Sequence, residues 1–166
     1  GVDGEAVASP HRSDAGSQEV RQAMASINGT SGNDYLVGTN NRDRLKGKAG
    51  KDTLKGKKDK DELLGGRGKD KLLGQDGKDA LWGDRGKDIL KGGAGNDNLD
   101  GGGGKDKLKG QGGKDTLTGG PGADQLNGGG GGKDTAEYRD SPAGVTIDLI
   151  DGIGSFGHAE GDTLKK

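Results

Sequence analysis

Apolar residues are sparse along this chain but strictly phased. A leucine returns at every ninth residue: Leu36, Leu45, Leu54, Leu63, Leu72, Leu81, Leu90, Leu99, Leu108, Leu117 and Leu126, with Ala136 closing the series. Two residues before each stands an aspartate: Asp34, Asp43, Asp52, Asp61, Asp70, Asp79, Asp88, Asp97, Asp106, Asp115, Asp124 and Asp134. Nine-residue units therefore run without a gap from Gly29 to Asn127, each opening on glycine; Gly128 reads as one extra residue before a last unit at Gly129. The fourth position is glycine except for Asn41 and Asp59. Each unit predicts a tight six-residue turn, where glycine tolerates positive φ and lets carbonyls converge. A three-residue strand follows, with the leucine on one face and its neighbours on the other. So short a period signals a repeat architecture. Two units make a coil of about 18 residues, and the coils stack into an all-β, right-handed parallel β-roll (a β-solenoid). Six coils at a strand spacing of ~4.8 Å rise on the order of 29 Å.

The flanks break the phase. Residues 17–27 (SQEVRQAMASI) place Val20, Met24 and Ile27 at helical spacing and predict a short helix, after a disordered leader over 1–16. Residues 143–150 alternate Val145, Ile147 and Leu149, the period of a strand. With Phe156 and Leu164 they are expected to cap the roll, since stacked repeats need atypical ends. The chain thus divides into 1–28, the repeats at 29–137 and a capping segment at 138–166.

Composition narrows the function. Glycine supplies 39 of 166 residues, hydrophobic residues only 25%, and the aromatics are Tyr35, Trp82, Tyr138 and Phe156. That is too little for the core of an ordinary globular enzyme. No apolar run approaches the ~20 residues of a membrane-spanning helix. Cysteine is absent, which excludes disulfides and thiolate metal sites. The net charge of −1 is unlike the high charge of most disordered chains, and a flexible linker has no reason to hold leucine in phase. The two histidines, His11 and His158, have no catalytic neighbours in the sequence, and neither G-K-[ST] nor H-E-x-x-H occurs. The expectation is a non-enzymatic module.

The units GGAGNDNLD (92–100) and GGPGADQLN (119–127) match the nonapeptide G-G-x-G-x-D-x-U-x in full. On them, and on the tail at 134–164, the chain resembles the RTX (hemolysin-type) calcium-binding repeat family of secreted bacterial proteins. The resemblance implies several calcium ions, each held between turns one coil apart. One turn would supply its aspartate and the carbonyls of positions two and four, the next its aspartate and the carbonyls of positions one and three. Carried onto this chain, the implied carboxylates are Asp52, Asp70, Asp79, Asp88, Asp97, Asp106, Asp115, Asp124 and Asp134. The implied turn glycines are Gly65, Gly66, Gly68, Gly74, Gly77, Gly83, Gly86, Gly92, Gly93, Gly95, Gly101, Gly102, Gly104, Gly110, Gly113, Gly119, Gly120 and Gly122. Oxygen-only donors suit calcium better than magnesium, which demands a stricter octahedron. The first four units lack the second glycine and are expected to be poorer sites. The resemblance further implies an extracellular location reached by secretion, a parent protein with other domains, and sequence running on past the tail.

One departure is charge. Lysine fills the fifth position at Lys51, Lys60, Lys69, Lys78, Lys87, Lys105, Lys114 and Lys133, and Arg42 fills it once more. Its side chain points away from the ion, but its charge opposes binding. Residues 29–137 carry 21 Lys/Arg against 18 Asp/Glu, and 12 of those acids are the sixth-position aspartates. The exterior should therefore be basic. One sheet would present Lys55, Lys71, Lys91, Lys107 and Lys109 with no acid; the other, carrying Trp82, would be mixed. The lysine face suggests a polyanion such as an acidic polysaccharide or lipopolysaccharide, or equally a solvated surface. Three functions stay open at this point: a calcium-triggered folding and secretion module, a polyanion-binding module, and a structural or adhesin spacer.

Overall fold

A computed structural model of the chain describes residues 24–137 in full and, beyond them, the backbone of two short strands. Among the described residues there are strands and turns and no helix. One sheet, here the tryptophan sheet, takes β1 (Ala25–Asn28), β3 (Asp43–Gly50), β5 (Glu62–Gly68), β7 (Ala80–Gly86), β9 (Asn98–Asp100), β12 (Thr116–Thr118) and β14 (Thr135–Glu137) in that order, with the short β10 (Gly103–Gly104) beside β7. The other, the lysine sheet, takes β2 (Tyr35–Val37), β4 (Thr53–Lys58), β6 (Lys71–Asp76), β8 (Ile89–Ala94), β11 (Lys107–Gly112), β13 (Gln125–Gly130), β15 (Thr146–Asp148) and β16 (Thr163–Lys165). Every pairing is parallel, and the chain alternates between the sheets, so each coil adds one strand to both. This is a parallel β-solenoid of about six turns.

The register follows from the period. Leu54 stands beside Leu72, Leu72 beside Leu90, Leu45 beside Leu63 and Leu63 beside Leu81. Because side chains alternate along a strand, positions six and eight turn inward and seven and nine outward. The leucines from Leu45 to Leu126 and Ala136 are essentially inaccessible and form the core, with Ile27 and Leu36 packed against it at the N-terminal end.

From β3 to β8 the strands are longer than three residues. β4 runs from Thr53 through position three of the next unit, and the other long strands do likewise. The chain bends at position two with positive φ, as at Lys48 (φ 88), Gln75 (φ 86) and Gly93 (φ 127), and the ladder resumes after it.

Two expectations are corrected. Residues 25–27, the end of the expected helix, belong instead to the strand Ala25–Asn28, paired with Asp43–Lys46. Ile27 lies nine residues before Leu36 and so occupies the leucine phase; covering the end of the core outweighs a helix that would leave it exposed. The rest of that helix and the leader at 1–16 lie outside the described residues. The last unit also begins at Gly128, not Gly129. A Cβ at Gly128 would meet the Asp134 carboxylate, as one at Gly110 would meet Asp115. Gln111 pairs with Gly129 and Gln111's second neighbour, Gly113, faces Gly132, so the extra residue sits inside the turn near Gly131. An insertion in a strand would have turned its core residues outward; in the turn it leaves Asp134 and Ala136 in phase. Of the capping segment, β15 and β16 extend the lysine sheet by two parallel strands; the remainder of 138–166 lies outside the described residues.

Truncating one core leucine should be felt along the whole stack. Leu90→Ala is expected to cost about 2–5 kcal/mol, measured by denaturant unfolding in calcium, whereas the outward Thr116→Ala should stay within about 0.5 kcal/mol.

Candidate metal centre

The sixth-position aspartates form two continuous ladders along the roll. One runs Asp34, Asp52, Asp70, Asp88, Asp106, Asp124; the other Asp43, Asp61, Asp79, Asp97, Asp115, Asp134. In each step the backbone N–H of one aspartate donates to Oδ1 of the aspartate one coil further on, at 2.7–2.9 Å. From Asp52 on, Oδ1 therefore has a main-chain donor. From Asp52 to Asp134 these residues are 0–3% exposed, and Oδ2 of every one of them is buried without a hydrogen-bond partner. A native fold rarely leaves more than a few buried polar atoms unpaired. Here ten orphaned oxygens recur at one position of the repeat, and each belongs to an acid.

The first two turns differ in a way that explains the pattern. Thr30 N–H and Oγ1 donate to Asp34 Oδ2, and Thr39 N–H and Oγ1 do the same for Asp43. A threonine at position two thus satisfies the carboxylate locally. From the third unit on, position two is Lys, Gly, Gln or Asp, and no donor replaces the threonine. The break therefore falls after the second unit: Asp52 and Asp61 carry orphaned oxygens like the later aspartates, although their turns depart from the motif and were expected to be poorer sites.

Backbone oxygens surround the same space. A Cβ on Gly92 would lie 2.8 Å from the carbonyl oxygen of Gly110 one coil on and would collide with Asp97 Oδ2, so glycine at position one leaves a hollow facing both oxygens. A Cβ on Gly95 would fall on the carbonyl of Gly77, and one on Gly93 on the carbonyl of Gln75. Carbonyls of positions two and four hence point forward along the stack. Those of position one point back, as do those of position three, which accept the position-four N–H of the preceding coil (Gly77 N–H to Ala94 O, 2.8 Å; Gly95 N–H to Gly112 O, 2.7 Å). Each gap between turns is lined by two aspartates and carbonyls from both sides. The structure brings together Asp70 with Asp88, Asp88 with Asp106, Asp106 with Asp124, Asp79 with Asp97, Asp97 with Asp115, and Asp115 with Asp134. Among the described residues no three His, Cys, Asp or Glu side chains cluster as metal ligands. A cation here must draw on main-chain oxygen, which suits a hard ion with six to eight tolerant oxygen ligands and not zinc.

Lysine at position five is exposed throughout, from Lys51 to Lys133, and does not enter the gap. On the outer face of the lysine sheet, Lys55, Leu73, Lys91 and Lys109 follow one another in register, beside Lys71, Ile89 and Lys107. Lys55 Nζ lies 5.1 Å from the Tyr35 ring centroid, a cation–π contact. That face has shallow depressions of about 180 Å³ at Lys55 and Lys91 and about 200 Å³ at Ile89 and Lys107.

Burial pushes the carboxyls from Asp52 to Asp124 up from their usual range. Asp61 and Asp106 rise to about 7, and Asp79, Asp88, Asp97 and Asp115 to about 6. Loss of water is the largest cause; the main-chain N–H bond opposes it, and neighbouring aspartates add to it. Without a cation the folded roll thus holds protons more tightly than the unfolded chain, so its stability is greatest in acid and is lost as the pH rises through about 6 to 7. Metal-stripped protein should gain far-UV β signal as the pH is lowered from about 8 to about 5. With calcium present the trend should reverse, because protons and the ion compete for the same oxygens. A metal-free spectrum that does not change with pH would contradict the buried ladder.

A family model described as the RTX calcium-binding nonapeptide repeat (4 copies) matches the chain in overlapping stretches at residues 28–63, 37–72, 56–90, 73–108, 82–116 and 100–132. No curated protein sequence matches it. The matched stretches cover most of the solenoid, and the repeated aspartate, the glycine hollows and the stacked carbonyls lie in the matched units: the chain belongs to the RTX calcium-binding nonapeptide repeat family.

Proposed function

We propose that this chain is a calcium-dependent folding module of a secreted bacterial protein, with no catalytic role of its own. The observation that carries the reading is the set of ten buried, unpartnered Oδ2 atoms, each beside a glycine hollow and, from Asp52 to Asp115, beside a carbonyl of the next coil. Calcium bound between turns would be held by Asp52, Asp70, Asp88, Asp106 and Asp124 at one edge and by Asp61, Asp79, Asp97, Asp115 and Asp134 at the other, with carbonyls of the intervening turns. It supplies the positive charge that the interior lacks. At the low calcium of a cytosol the ladder charge opposes folding and the chain stays extended, a form compatible with export. Outside the cell the ion is available and the roll closes. Extracellular calcium modules work at ~10⁻⁴–10⁻³ M, which separates the two compartments. The proposal makes the chain a calcium-gated stabiliser of whatever it is joined to.

Calcium titrated into metal-stripped protein at neutral to alkaline pH should convert a coil spectrum into a β spectrum, between micromolar and millimolar calcium. Magnesium at the same concentrations should not. Asp88→Asn and Asp97→Asn preserve shape and the Oδ1 acceptor but remove charge, so each should raise the calcium midpoint several-fold. At that pH, a β-rich spectrum without metal, or coil at saturating calcium, would overturn the reading.

A further inference from the structure

We propose that the outer face of the tryptophan sheet binds a linear acidic glycan in a groove centred on Trp82. The groove measures about 540 Å³ and lies on the sheet opposite the lysine face. One wall is a column in strict register: Lys46, Leu64, Trp82 and Asp100 on successive strands. Beside it run Lys48, Gly66 and Asp84, and then Arg67 and Arg85. Gly66 and Gly102 have no side chains, and they leave the floor open on either side of Asp84.

Three features define the occupant. The first is charge. Lys46, Lys48, Arg67 and Arg85 face only two acids, Asp84 and Asp100. The ion pairs among the described residues are Arg42–Glu62 and Arg44–Glu62, so none of the four groove cations has an ionic partner there. Paired guanidinium groups suit carboxylates, which they can grip with two parallel hydrogen bonds. The second is the half-buried Trp82, flanked by Leu64: a flat amphipathic surface onto which the C–H face of a sugar ring can stack while its hydroxyls stay polar. Asp84 and Asp100 then accept from those hydroxyls, and Asp100 is held in place by the Gly102 N–H at 3.0 Å. The third is period. Groove side chains repeat at one strand spacing, ~4.8 Å, close to the advance of one pyranose along an extended glycan. An extended peptide advances ~3.3–3.4 Å per residue and drifts out of step. Three spacings, about 14 Å, take about three sugar rings.

The inference rests on the roll being folded, so the test is made on calcium-saturated protein with its β spectrum recorded in parallel. Trp82 is the one tryptophan of the chain, and its emission reports the groove directly. Titration with a hyaluronan tetrasaccharide, whose sugars alternate with uronates, should give a saturable change. Cellotetraose (neutral) and tetraglutamate (acidic, peptide) should bind about tenfold more weakly. Arg67→Gln/Arg85→Gln should weaken hyaluronan binding by about tenfold, while Lys91→Gln/Lys109→Gln on the opposite sheet should leave it within about twofold. A folded protein without saturable response overturns the proposal, as does equal binding of tetraglutamate or cellotetraose, or equal loss in both double variants. Loss of the β spectrum in calcium would instead overturn the folding reading, and this site with it.

Discussion

Each coil of the roll is tied to the next by a hydrogen bond between the main chain of one aspartate and the carboxylate of another, and the rest of the structure depends on it. The bond falls at the corner, where the chain leaves a turn and enters a strand. One carboxylate oxygen satisfies a main-chain donor there and the other is left buried and charged. The same side chain that closes the corner therefore makes the interior anionic. Satisfying a buried donor and burying a charge have opposite signs, and a cation in the gap between turns reconciles them.

That arrangement explains why so thin a core can serve. One leucine per unit is little apolar material, and every coil touches only its neighbours, so stability accumulates coil by coil. With the ladders neutralised, the strand hydrogen bonds and the leucine columns act together; without that, they oppose the repulsion of two rows of acids. The N-terminal end is exempt. Thr30 and Thr39 satisfy Asp34 and Asp43 locally, and β1 covers the end of the core with Ile27. At this end the carboxylates have donors of their own and leave no orphaned oxygen for an ion to satisfy.

Committing the aspartates to the interior also decides the exterior. A near-neutral chain presents a basic surface because most acids of the repeats face inward. The two sheets use that surplus differently. The lysine sheet spaces its cations with Leu73 and Ile89 over a face with only shallow depressions. The tryptophan sheet gathers arginine, lysine, aspartate and an indole around a hollow floored by glycine.

The sequence by itself determined the parallel roll, its leucine core, the two aspartate columns and the residues on each outer face, because a strict period of nine leaves a strand only one inward phase. It did not determine where the phase begins or how it survives an interruption. Ile27 reads as helical until β3 is placed beside it, and Gly128 reads as an inserted residue until Asp134 is found against it. The threonine caps were present at position two, but their effect depends on which carboxylate oxygen the preceding coil has already engaged. The groove at Trp82 was beyond reach for the same reason. Residues 46, 64, 82 and 100 are neighbours only across strands, and a hollow arises only where missing side chains on adjacent coils coincide. Period is a property of the chain; coincidence between coils is a property of the stack.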